Sequence, residues 1–142
     1  MKTFLDLQAT ELALEVELVL VPVGQPQITV NIGQHNMTTQ LTHAITIAKR
    51  IDLTEAFAID IALLEKNYND PNETAVIIQS LKIDDFEIVP VWTHLAQYVN
   101  DHDYVDPTNY LGFVGVWQLE IDCAFYQWQH RVTNQGWLLT PQ

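Results

Sequence analysis

Period-two alternation of aliphatic residues is the feature that most narrows what this chain can fold into. From Glu11 to Val21, Leu12, Leu14, Val16, Leu18 and Leu20 alternate with Glu11, Ala13, Glu15, Glu17 and Val19. Successive side chains of a strand point to opposite faces, so this spacing lays one aliphatic face on a pleated strand. Pro22 and the Gly24-Gln25-Pro26 step are expected to end it. Ile28, Val30 and Ile32 alternate next, and Gly33-Gln34-His35-Asn36 marks a hairpin turn before Leu41, His43, Ile45 and Ile47. Leu53 to Leu63 repeats the pattern through Phe57, Ile59 and Ile61, with Asp60 on the opposite face. A helix over 53–66 competes, because Ala and Leu are frequent there, but continuous alternation favours strand. Asn69-Asp70-Pro71-Asn72 reads as a turn.

Further strands are expected over 75–81, near 86–89, over 117–122, near 125–132 and over 137–139. Thr133-Asn134-Gln135-Gly136 is expected to join the last two. Eight or more short strands at this spacing predict an all-β chain, an antiparallel β-sandwich or jelly roll. The 142 residues suffice for one core without disulfides or metal, and no repeat or Gly/Ser linker divides them. Residues 1–142 therefore read as a single domain. One segment breaks the rhythm: Pro90 to Gly115 reads as a long loop, with a helical turn around Thr93 to Val99.

Composition removes several function classes. The chain carries 6 Lys and Arg against 18 Asp and Glu, a net charge of −12. Nucleic acid is bound chiefly by basic side chains that displace counterions, so it is not expected as a direct ligand. The longest apolar run, Leu18 to Val23, falls far short of a membrane span, and the first ten residues do not read as a signal peptide. Cys123 is the one cysteine, which allows no internal disulfide and reads as a buried structural thiol rather than a nucleophile. Ser80 is the one serine and lies in no Gly-x-Ser-x-Gly elbow. Asp84 and Asp85 are adjacent, so on a strand they would diverge rather than act as an acid–base pair. The five histidines show no ligand spacing. Nothing in the chain points to an enzyme.

The second half draws attention instead. Between Lys82 and Arg131 there is no Lys or Arg, but eight carboxylates, and Phe86 to Trp137 holds eleven of the fourteen aromatic residues. Within the 90–115 segment, Trp92, Tyr98, Tyr104 and Tyr110 recur every six residues. Such rings either pin a loop to the core or form a platform for a sugar or protein partner. Asp101, Asp103 and Asp106 fall within six positions. They form either a solvated acidic loop or a partial oxygen set for Ca²⁺, without the glycine and closing glutamate of an EF-hand.

The segments Ala75 to Asp85, Trp117 to Asp122, Phe125 to Trp128 and Asn134 to Leu139 together resemble small β-sandwich modules of tailed-bacteriophage virions. Their layout is also similar to jelly-roll carbohydrate-binding modules, some of which are calcium-dependent. The first resemblance implies a virion component, assembled in the host cytoplasm, for capsid decoration or as a tail or fibre module. Its partners would be other virion proteins and further copies of the chain in a homo-oligomer. The second implies a glycan partner gripped by the long aromatic and acidic loop, with Ca²⁺ as an optional cofactor.

Overall fold

The computed structural model describes residues 13–52, 56–101, 105–106 and 108–133. Eleven strands are present among them: β1 (Ala13–Val23), β2 (Gln27–Ile32), β3 (His35–Gln40), β4 (Ile45–Asp52), β5 (Phe57–Leu63), β6 (Ala75–Ile83), β7 (Phe86–Val89), β8 (Gln97–Asn100), β9 (Val105–Asp106), β10 (Tyr110–Leu111) and β11 (Gly115–Ile121). A 3₁₀ turn spans Thr93–Leu95 and one helix, α1, spans Phe125–Thr133. The strands form two antiparallel sheets. The first runs β10-β6-β1-β4, with β7 also paired to β6; the second runs β3-β2-β5-β11-β8-β9.

The alternating residues do what their spacing predicts. Leu14, Val16, Leu18 and Leu20 on β1 are buried and share one core with Ile28, Val30 and Ile32 of β2 and Ile59, Ile61 and Leu63 of β5. The strand reading of 53–66 holds over β5, whose backbone is laddered on both sides, to β2 and to β11. Pro22 does not end β1. Beyond Leu20 the strand pairs with β6 alone, and a residue without an N–H is tolerated where one edge is unpaired. The hairpin at Gly33 joins β2 to β3, but the chain then crosses between sheets through 41–44, where Leu41 N–H donates to Pro26 O at 2.8 Å.

Three further expectations need correction. Asp84 and Asp85 are not on a strand: both have positive φ (48° and 67°) and form the β6–β7 turn. The segment 90–115 is not a long loop, since β8, β9 and β10 divide it and each pairs with a neighbour. The segment near 125–132 is helical. Phe125 and Trp128 are buried and Val132 packs with them, which is the three-to-four spacing of a helix face. This face meets Phe86, whose ring centroid lies 6.2 Å from Phe125 and 6.4 Å from Trp128. The strand expected over 137–139 lies outside the described residues.

Candidate functional site

Strand registers bring the ends of β1, β3, β5 and β8 and the starts of β2, β6 and β11 to one end of the sandwich. Two connections project there: residues 64–74, between β5 and β6, and the turn between β10 and β11. Between them lies a depression of about 280 Å³, lined by Lys66, Glu73, Asn100, Thr108, Tyr110 and Phe113, with Tyr98 and Gly112 beneath.

Its walls are fixed by hydrogen bonds from side chains rather than by long ladders. Lys66, with its side chain only 10% exposed, donates through Nζ to Glu73 Oε1 and to Gly112 O. Glu73 also accepts from its neighbour's Thr74 N–H at 3.0 Å and, at 3.3 Å, from the Tyr110 hydroxyl. The hydrogen bond from Lys66 holds the Glu73 carboxyl below its ordinary range, so it stays ionised. Partial burial, then the charge of Glu73, raises Tyr110 above the ordinary tyrosine value, so its hydroxyl keeps its proton. Tyr110 lies close over Gly112, where an added Cβ would stand 2.9 Å from the ring. On the same 64–74 connection, the Tyr68 hydroxyl donates to the Asp101 carboxylate (2.7 and 2.8 Å to its two oxygens) and accepts from Val114 N–H at 2.9 Å. Lys66 Nζ sits 5.6 Å from the Tyr68 ring centre, a cation–π distance.

Of the four aromatics spaced by six, the three that are described do not share a surface. Tyr98 is 2% exposed, on the inward face of β8. Its hydroxyl donates to Phe113 O and accepts from Phe113 N–H at 2.9 Å, and burial pushes it up to about 12. Its ring is a loop anchor and is not available as a contact platform. Trp92 packs 6.2 Å from Phe86, in the cluster that receives α1. Tyr104 lies outside the described residues. Tyr110, 40% exposed, remains as a presented ring. Among the acids, Asp101 accepts from the Tyr68 hydroxyl, Asp103 lies outside the described residues, and Asp106 pairs through its backbone with Tyr98.

Calcium requires six to eight oxygen ligands. Among the described residues no three Asp, Glu, His or Cys side chains gather at metal-binding range; the side chains of Asp103 and Asp106 lie outside them. Sequence reasoning missed Tyr68, 44% exposed, together with Lys66 and Glu73. The available signal was a ring set inside the polar turn run Lys66 to Glu73, with no aliphatic alternation to carry it inward.

Among the described residues β3 and β4 are edge strands, one of each sheet. A larger depression, about 450 Å³, lies between them over Val30, Ile32 and Ile47. Its aliphatic floor and lack of a ring-and-acid set make it the weaker candidate despite its size.

No family model matches the chain, and no curated protein matches it in sequence. Its fold is similar to that of vCBM60 in complex with galactobiose, with a TM-score of 0.52 at 10% identity over 75% of this chain and 97% of that one. It is also similar to the selenomethionine form of vCBM60, described as part of an evolutionary link by circular permutation between two families of calcium-dependent carbohydrate-binding modules. There the TM-score is 0.53 at 10% identity, over 75% of this chain and 90% of that one. At this identity the likeness is one of fold alone: a two-sheet antiparallel β-sandwich.

Proposed function

We propose that the chain is a non-catalytic binding module for an uncharged glycan, with the Tyr110–Lys66–Glu73 depression as its site. One observation carries the reading: the half-exposed Tyr110 flanks a hollow whose Lys66 and Glu73 are held in place by hydrogen bonds, with the half-exposed Tyr68 ring beside Lys66. Sugar rings offer C–H faces to aromatic rings and hydroxyls that both donate and accept, and this set answers both. The fold likeness supports the same reading, since one of the two similar structures holds galactobiose. The net charge of −12 favours an uncharged chain over an anionic one.

The virion role draws no support from these likenesses, and of the two resemblances the glycan-binding one gains. The proposed contacts include no metal ligand, so binding is expected to survive EDTA; its loss on chelation would transfer the site to the acids of 101–106. The test is a glycan array followed by calorimetry, with galactobiose among the probes. Tyr110→Ala is expected to weaken binding about tenfold, the equivalent of roughly 1.4 kcal/mol. A folded wild-type chain that binds no neutral glycan, or a variant that binds equally well, overturns the proposal.

A further inference from the structure

The depression beneath Tyr110 does not stop at Lys66. Beyond that lysine lies a second hollow, of about 410 Å³, lined by Gln25, Gln27, Gln40, Asn67 and Thr74 and sharing Lys66 with the first. Its one acid is Glu65. Three elements build it. The β1–β2 connection brings Gln25, the register of β2 against β3 sets Gln27 opposite Gln40, and the β5–β6 connection brings Asn67 and Thr74. The backbone beneath is pinned: Leu64 N–H donates to Gln27 O at 2.9 Å, and Leu41 N–H to Pro26 O at 2.8 Å.

The side chains above this backbone are only lightly used. Gln40 donates at 3.4 Å to Gln25 O, and Asn67 spends its side-chain oxygen on Asn69 N–H at 3.0 Å. A primary amide offers two donors and two acceptors, which suits the mixed demands of adjacent sugar hydroxyls. No ring lines the hollow. Its contribution is therefore one of hydrogen bonding, not of stacking. Lys66 forms a fixed saddle between the hollows, because Glu73 and Gly112 O both hold its ammonium.

We infer that the amide-lined hollow is a second subsite, taking the next residues of an uncharged glycan chain whose neighbouring sugar packs on Tyr110. This inference rests on the glycan reading above and extends it from a single sugar contact to a chain of defined direction across the sandwich end.

The experiment compares ligand lengths. Galactobiose and galactohexaose, with the matching gluco- and xylo-pairs, are titrated into the wild-type chain and a Gln25→Ala/Gln40→Ala double variant, with circular dichroism confirming that the variant folds. The hexasaccharide is expected to bind wild type about three- to tenfold more tightly than its disaccharide, the yield of one or two net hydrogen bonds. The double variant is expected to bind the disaccharide as wild type does and to lose that gain. Disaccharide binding with no gain from length in wild type overturns the subsite and leaves the glycan reading standing, as does a gain that survives in the double variant. Absence of binding to every probe overturns both.

Discussion

β1 and the 90–115 stretch are held to the same core by different means. β1 is laddered to β4 along eight residue pairs and to β6 along eight more, and its buried stripe repeats every second residue. Stability there is spread along a ladder. The 90–115 stretch has strands of only four, two and two residues. Individual polar side chains fix it: the Tyr98 hydroxyl to Phe113, Trp117 Nε1–H to Thr108 O at 3.0 Å, and Asn109 Nδ2–H to Ile78 O at 3.0 Å. Anchoring by a few buried groups leaves the outer surface free to carry Tyr110 and Asp101, which a laddered strand with a solvated charged face does not provide.

The sharpest way to break this contrast is at Gly115, where β8 meets β11. A Cβ there would lie 2.3 Å from Val99 O and 2.5 Å from the Asn100 Cα, both backbone atoms. Gly115→Ala is expected to cost about 3 kcal/mol or more in chemical denaturation, as backbone clashes do. A loss below about 1 kcal/mol would show that β8 can move aside, contrary to a fixed base for the site.

Tyr98→Phe comes next. It keeps the ring and removes the hydroxyl that both donates to and accepts from Phe113, so about 1–3 kcal/mol should be lost. The same group predicts alkaline behaviour. Its folded value, about 12, lies above the ordinary 10.0, so its contribution is complete below 10.0 and lost as pH rises through about 12. Wild type should therefore lose stability over that range more steeply than Tyr98→Phe does. Equal slopes would place the titrating group elsewhere.

A smaller effect is expected at Glu73. Its carboxyl is held below the ordinary 4.5, so the stabilisation is present above 4.5 and disappears as pH falls through the lowered folded value. Glu73→Gln should flatten the acid limb of a thermal-melt series and reduce glycan affinity at neutral pH; an unchanged acid limb contradicts the clamp on Lys66. The smallest effect belongs to β1. Glu17 faces solvent, and Glu17→Gln is expected to change stability by less than about 0.5 kcal/mol in the same assay.

The sequence made the laddered regions easy to read and the anchored ones hard, for one physical reason. Where burial is shared by many residues, as in β1, β2, β5 and β11, it leaves a period that can be counted. Where it falls to single residues, it leaves none. Tyr98 and Tyr110 are the same residue type at the same six-residue spacing, but one is buried and one is presented. Only the pairing of Tyr98 with Trp117 across β8 and β11 decides which. α1 was obscured by ring residues that favour strands, although Phe125, Trp128 and Val132 carry a helical spacing. Tyr68 meets Asp101 across 33 positions of chain, Lys66 meets Gly112 across 46 and Glu73 meets Tyr110 across 37, a proximity that spacing cannot express.

The measurement that bears most directly on the glycan site is a titration of the ¹⁵N-labelled chain with galactobiose and other neutral disaccharides, followed by heteronuclear NMR. Saturable shifts confined to the amides of 64–74 and 108–115, absent in Tyr110→Ala, are predicted. Shifts centred on the β3–β4 flank, or no saturable shift with any neutral glycan, would contradict the account.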